Sequence, residues 1–171
     1  MDKKKMPFEE METESQDMFD KPFNFIEEGG KTALICESSP VFRERVSNVL
    51  EKMGYYITEA ATIQESLRNM RVHMYQLIVV DESFDMGSTV DNHVLDYIRQ
   101  LPMNVRRNIF VVMLSIGICT MDNMAAFKKS VNLIINLDDV DGAGAIIERG
   151  IADNEAFYNT FRNAMRKAGH L

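Results

Sequence analysis

Short apolar runs alternate with stretches of helical periodicity from about residue 31 onward, and this alternation constrains the fold more than any other feature. Five runs are rich in β-branched or aromatic residues and too short to be helices, namely 32–36, 55–59, 77–80, 109–114 and 133–135. Parallel strands joined by crossover helices produce this pattern. The sequence therefore predicts an α/β domain whose five-stranded parallel sheet carries helices on both faces.

Capping and breaking residues bound the helical stretches. The first has Pro40 near its first turn and Gly54 at its end. The third is predicted to begin after the capping residues Ser88 and Thr89 and to stop at Pro102. A fourth helix is predicted to open near residue 120.

The first 30 residues differ in composition from the rest of the chain. They hold four basic and nine acidic side chains, and their few apolar residues show no period. Such a segment has too little apolar surface to fold alone, so we predict a flexible acidic leader over 1–30 and a folded domain over 31–171. Apolar residues near its end, around Phe23 and Phe25, are positioned to hold the leader against the domain.

Charge and cysteine content exclude several classes of protein. The formal net charge is −7 and no basic helix follows a turn, so we expect no nucleic-acid binding. No run approaches the roughly 18 apolar residues of a membrane span, which predicts a cytoplasmic protein without membrane insertion. Cys36 and Cys119 lie far apart in apolar stretches, which predicts buried free thiols.

Polar residues follow the predicted strands at their carboxyl ends, where open parallel sheets bind ligands. Glu37 and Ser38 follow the first strand, Asp81 the third, Ser115 the fourth and Asn136 the fifth. In order and spacing, these residues resemble those of the receiver domains of bacterial response regulators. The resemblance covers residues 31–137 and the last helix.

The resemblance implies a fold and a set of roles. The fold would be flavodoxin-like and doubly wound, with strand order 2-1-3-4-5. Asp81 matches the phosphoacceptor aspartate, and Ser115 matches the hydroxyl that turns toward the phosphoryl group. Glu37, Asp81 and Ser83 would form the Mg²⁺ site.

Three positions depart from the receiver pattern. Ser38 replaces the second carboxylate of the metal site, Asn136 replaces the lysine after the fifth strand, and Leu133 replaces the switching aromatic. Phosphoryl transfer depends on positioning and on cations that neutralise the phosphoryl oxygens, so these departures should impair it. We therefore predict a pseudo-receiver, a non-enzymatic signalling module that binds protein partners. If the departures weaken the site, Asn136→Lys with Ser38→Asp should restore Mg²⁺-dependent phosphorylation.

The segment 138–153 is longer than the usual receiver link between the fifth strand and the last helix. We predict an insertion here, with a capped turn and a short helix over 143–149. The last helix is then predicted to begin with Asp153 as its cap. The insertion would border the face that receivers commonly use for partners.

Two alternatives remain open. One is a working two-component receiver in a phosphorelay, phosphorylated on Asp81 with Mg²⁺ and served by a histidine kinase. The other is a flavodoxin-like ligand-binding protein. Glu37 would repel a phosphate after the first strand, and the chain contains no tryptophan to stack on a flavin, so the sequence disfavours the second alternative.

Overall fold

Five parallel strands form one sheet in the order β2-β1-β3-β4-β5. The structure is a computed structural model that describes residues 30–84 and 92–169. The predicted strand positions and the 2-1-3-4-5 order are confirmed. The strands are β1 (Lys31–Cys36), β2 (Tyr55–Ala60), β3 (Leu77–Asp81), β4 (Phe110–Ser115) and β5 (Leu133–Asn136).

Helices cover both faces of the sheet, as predicted. The helices are α1 (Pro40–Lys52), α2 (Ile63–Val72), α3 (His93–Gln100), α4 (Met103–Arg106), α5 (Asn123–Lys129) and α6 (Ala143–Lys167), and a 3₁₀ turn (Leu137–Gly142) joins β5 to α6. Helices α1 and α6 pack on one face, and α2, α3 and α5 pack on the other. No helix within the described residues is long and apolar enough to cross a membrane.

Successive strand residues point to opposite faces of the sheet, which divides the core into two layers. On β1, Leu34 and Cys36 belong to one layer, whereas Ala33 and Ile35 belong to the other. Both layers are covered by helices, so the central strands are apolar at nearly every position, as the sequence shows. Burial raises the pKa of the Cys36 thiol to about 12. Both cysteines are free, but Cys119 is exposed, so its predicted burial is wrong.

The last helix differs from its prediction. It begins at Ala143 and runs without interruption for 25 residues, so Asp153 lies inside it and is not its cap. The predicted short helix over 143–149 is its first part. At Gly150, directly after the predicted end of that short helix, a methyl group would lie 3.0 Å from Phe110 Cζ. Glycine lets the continuous helix approach β4 closely.

Two other helix boundaries also need correction. Asn92 caps α3 by accepting hydrogen bonds from the backbone N–H groups of Val94 and Leu95. The predicted caps Ser88 and Thr89 lie outside the described residues, as does the leader up to residue 29. The fourth predicted helix begins at Asn123 rather than near residue 120, because the Asp122 side chain accepts from the backbone N–H of Ala125.

Candidate functional site

The register of the sheet brings the predicted site residues to one edge. Cys36 pairs with Val80 across β1 and β3, so Glu37 and Asp81 follow paired positions on neighbouring strands. Ser115 pairs with Asn136 across β4 and β5. Neighbouring strands lie about 4.8 Å apart, so these side chains share the carboxyl edge of the sheet.

Glu37 is a buried carboxylate with one unsatisfied oxygen. Its side chain accepts a hydrogen bond at Oε1 from the backbone N–H of Ser39 at 2.7 Å. Its Oε2 is buried and has no hydrogen-bond partner within the described residues. Burial raises the pKa of Glu37, and the negative charge of Asp81 raises it further. An unpaired buried carboxylate oxygen of this kind is suited to a cation or a proton.

Asp81 ends β3 and is partly buried. Its Oδ2 accepts a hydrogen bond from the backbone N–H of Ser83 at 3.1 Å. Burial raises the pKa of Asp81, and the charge of Glu82 adds to the increase. The Asn92 side chain holds the backbone here, since its Nδ2 donates to the carbonyl oxygen of Asp81 at 2.9 Å.

The Glu82 carboxylate binds two other side chains at this edge. Ser115 Oγ donates to Glu82 Oε2 at 2.6 Å, and Lys129 Nζ donates to Glu82 Oε1 at 2.8 Å. We call these three residues the Glu82 cluster. Burial alone would raise the pKa of Glu82, but the hydrogen bonds from Lys129 and Ser115 outweigh it and hold that pKa below its usual value.

The two contacts of Glu82 differ in strength. The Lys129 and Glu82 side chains are 40% and 32% exposed, and ion pairs near the surface contribute about 1 kcal/mol at most. Ser115 is fully buried, and a hydrogen bond to a charged group contributes roughly 1.5–3 kcal/mol. The bond from Ser115 therefore contributes more to holding Glu82 in place.

The three degenerate positions have different surroundings. Asn136 Nδ2 donates to the carbonyl oxygens of Ile116 and Ile118, and its Oδ1 accepts from the backbone N–H of Asp138. Leu133 is buried against α6, in the core layer shared with α1. Ser38 is exposed beside Glu37. The amide of Asn136 thus organises the β4–α5 loop and the 3₁₀ turn.

Sequence reasoning missed Glu82 and Lys129. Glu82 directly follows the predicted phosphoacceptor, and an acidic neighbour at that place was the available signal. Lys129 is 47 residues from Glu82, and only the packing of α5 against the sheet brings the two together.

The oxygen donors at this edge suit a hard cation. Glu37 Oε2, the Asp81 carboxylate and the backbone carbonyl of Ser83 are oxygen ligands, and Mg²⁺ commonly binds through one or two carboxylates plus water. Within residues 30–84 and 92–169, no three His, Cys, Asp or Glu side chains are grouped to hold a metal. Glu37 and Asp81 supply two carboxylates, and two carboxylates fit Mg²⁺ bound mostly by water.

We expect Glu37→Gln to raise the free energy of unfolding near neutral pH by about 1 kcal/mol, because it removes a buried charge with an unsatisfied oxygen. The pKa of Glu37 is raised in the folded state. Its ionisation therefore destabilises the fold above that pKa, and wild-type stability recovers as the pH falls through it toward the unfolded value. The gain from the substitution should shrink over the same interval.

Urea unfolding at several pH values measures this effect. Glu44→Gln, an exposed position on α1, is the matched control and should change little. Equal effects of the two substitutions at every pH would contradict the assignment of a strained buried charge to Glu37.

Comparisons with solved structures identify the fold. A response regulator from Thermotoga maritima is 21% identical, with a TM-score of 0.56, over 72% of this chain and 98% of that one. An orphan response regulator of H. pylori is 17% identical, with a TM-score of 0.54, over 71% and 97%. A chemotaxis response regulator of Vibrio cholerae is 15% identical, with a TM-score of 0.54, over 71% and 98%.

These similarities establish the class of fold. The chain has the fold of response-regulator receiver domains, and the predicted resemblance is confirmed at that level. No protein-family model and no curated protein sequence matches the chain.

Proposed function

We propose that this chain is a pseudo-receiver, a non-enzymatic module that signals by binding protein partners without a phosphoryl group on Asp81. The Glu82 cluster carries the proposal. A receiver needs its strand-end hydroxyl and a cation to bind the phosphoryl oxygens. In this chain, the Ser115 hydroxyl and the Lys129 ammonium both bind Glu82.

The Glu82 carboxylate takes the hydrogen bonds that the oxygens of a phosphoryl group on Asp81 would otherwise accept. Its two oxygens accept one bond from a hydroxyl and one from an ammonium group. A phosphoryl group on Asp81 would have to displace these contacts and would lie near a second negative charge, which repels it. Since Glu82 is part of the chain, its contacts require no bound group, so the strand-end hydroxyl is held permanently in one arrangement.

Intact-mass measurement after incubation with acetyl phosphate and Mg²⁺ tests the proposal. We expect no mass increase under conditions that label an ordinary receiver completely. Asp81→Asn serves as the matched negative control, because it removes the acceptor with little change in shape. Full labelling of the wild type that disappears in Asp81→Asn would overturn the proposal.

Partner binding provides the second arm of the test. Pull-down from the native cell should recover the same proteins with wild type and with Asp81→Asn. Ser115→Ala, which removes the hydroxyl from the Glu82 cluster, should alter recovery if this cluster fixes the binding surface. Strict dependence of recovery on Asp81 would contradict phosphate-independent signalling.

One observation favours a second candidate, a Mg²⁺-dependent phospho-receiver. The buried Glu37 Oε2 lacks a partner, and Asp81 follows the paired position on the next strand. Glu37, Asp81 and the backbone of Ser83 would hold the ion, which would supply positive charge at the phosphoryl oxygens. Asp81 would be the nucleophile, with a histidine kinase as its partner. Mg²⁺ should then raise the melting temperature of the wild type but not of Glu37→Gln.

A further inference from the structure

A groove lies at the amino ends of the strands, at the opposite edge of the sheet from Asp81. Its volume is about 730 Å³, within the range of roughly 300–1,000 Å³ that is usual for binding pockets. One side is formed by the first residues of β1, β2 and β4, namely Lys31, Tyr55 and Phe110. The other side is formed by the outer part of α6, from Glu148 to Arg162. Aromatic side chains on the two sides are Tyr55, Phe110, Tyr158 and Phe161.

The outer part of α6 leaves aromatic side chains uncovered. The buried residues of this helix are Ala143 and Ile147, both near its start. From residue 152 to residue 167 no side chain is buried, and Phe157 and Phe161 are 76% and 42% exposed. Phe161 is part of the groove lining and Phe157 is not, so the groove includes one of these two exposed rings.

Three cations beside the groove have no acidic partner among the described residues. Among the residues that the structure describes, no carboxylate lies within 4.0 Å of Lys31, Arg107 or Arg162. Lys31 Nζ lies 5.6 Å from the ring centre of Tyr55, and Arg107 Cζ lies 5.0 Å from that of Phe161. The groove therefore presents cations and aromatic rings side by side, which suits a segment that combines carboxylates with aromatic residues.

We propose that residues 17–28 of this chain occupy the groove. The composition of this segment complements both the aromatic rings and the cations of the groove. Its apolar residues include Phe19, Phe23, Phe25 and Ile26, and its acidic residues are Asp17, Asp20, Glu27 and Glu28. The aromatic rings pack against α6, and the carboxylates pair with Lys31, Arg107 and Arg162. Lys21 complements Glu148 and Glu155, the two acidic residues of the groove.

Connectivity favours this segment over a separate partner. The segment leads through residues 29 and 30 into Lys31, which itself lines the groove. An extended chain spans about 3.3–3.6 Å per residue, so Phe23 reaches up to roughly 28 Å from Lys31. The stretch of α6 from Glu148 to Arg162 is about 21 Å long at 1.5 Å per residue. A tethered segment also has an effective concentration on the order of millimolar, which favours it over a free peptide.

Photo-cross-linking of the full chain tests the proposal. Phe23 is replaced with p-benzoylphenylalanine, and the products are mapped by peptide mass spectrometry. We expect a cross-link within one chain to α6 residues 151–162 or to the start of β4. The same replacement at Phe8 is the matched control and should give no such product.

Charge reversal tests the proposed pairing between the carboxylates of the segment and the cations of the groove. Arg162→Glu should lower the cross-link yield by about fivefold, whereas Arg166→Glu, an exposed arginine on the same helix that does not line the groove, should leave it unchanged. Equal effects of the two substitutions would overturn the proposal. A cross-linked dimer would also overturn it, since a second copy would then fill the groove. These outcomes do not depend on Asp81, so they test the groove separately from the proposed function.

Discussion

Replacing Phe84 with alanine is expected to lower the free energy of unfolding by about 3–5 kcal/mol. Phe84 is fully buried and packs in the core layer between the sheet and helices α2, α3 and α5. Removing its ring loses the transfer free energy and leaves a cavity that the surrounding close-packed core fills only in part. Since folded domains are stable by only about 5–15 kcal/mol, this single change would remove much of the total.

The same change should loosen the candidate site. The backbone N–H of Phe84 donates to the carbonyl oxygen of Asp81 at 3.1 Å, which closes the turn that carries Asp81, Glu82 and Ser83. The buried ring anchors this turn, so its loss should speed hydrogen exchange at the Ser83 amide more than at the middle of β4. Phe127→Ala is the control, because Phe127 is 79% exposed. Similar losses of stability in the two variants, measured by urea unfolding, would contradict the anchoring role of Phe84.

The sheet was predictable because its determinants are local. Strands β1, β3, β4 and β5 are mostly buried, so they appear in the sequence as short apolar runs bounded by polar residues, whereas the edge strand β2 is only partly buried. Glu37, Asp81 and Ser115 were predictable as neighbours for a related reason, since the carboxyl ends of parallel strands meet at one edge.

The last helix was mispredicted because a long-range contact overrides local signals there. Asp153 indicates a helix start when only neighbouring residues are considered. Gly150 packs against Phe110 on β4, where a larger residue would collide with the ring. Sequence periodicity contains no information about that contact, which joins residues 40 positions apart.

The Glu82 cluster escaped prediction for the same reason. Lys129 is one of two adjacent lysines at the end of α5, and nothing in the sequence distinguishes it from an ordinary helix-terminal cation. From the sequence, Asn136 could be described only as a position where the lysine of receivers is missing. The structure shows that the asparagine has bonds of its own, because both ends of its amide are used.

Asn136→Lys is expected to lower the free energy of unfolding by about 2–3 kcal/mol rather than to repair the site. The substitution removes the donor to the carbonyl oxygens of Ile116 and Ile118, at 3.1 and 3.0 Å, and the acceptor for the N–H of Asp138. Each lost hydrogen bond contributes about 1 kcal/mol. Lysine cannot accept a hydrogen bond, so it leaves the N–H of Asp138 without this partner. Asn136→Ala removes the same three bonds without adding a charge and should be destabilised to a similar extent in urea unfolding.

The double variant Asn136→Lys with Ser38→Asp tests whether the missing cation or the Glu82 cluster prevents phosphorylation. If the missing lysine and carboxylate were the sole defects, this variant would gain phosphate with acetyl phosphate and Mg²⁺. We expect no mass increase, because Ser115 remains bonded to Glu82. Adding Glu82→Ala to the double variant releases the hydroxyl and should allow labelling that requires Asp81. Full labelling of the double variant with Glu82 intact would show that the Glu82 cluster does not block phosphorylation, since the hydroxyl would then be available despite its 2.6 Å bond to that carboxylate.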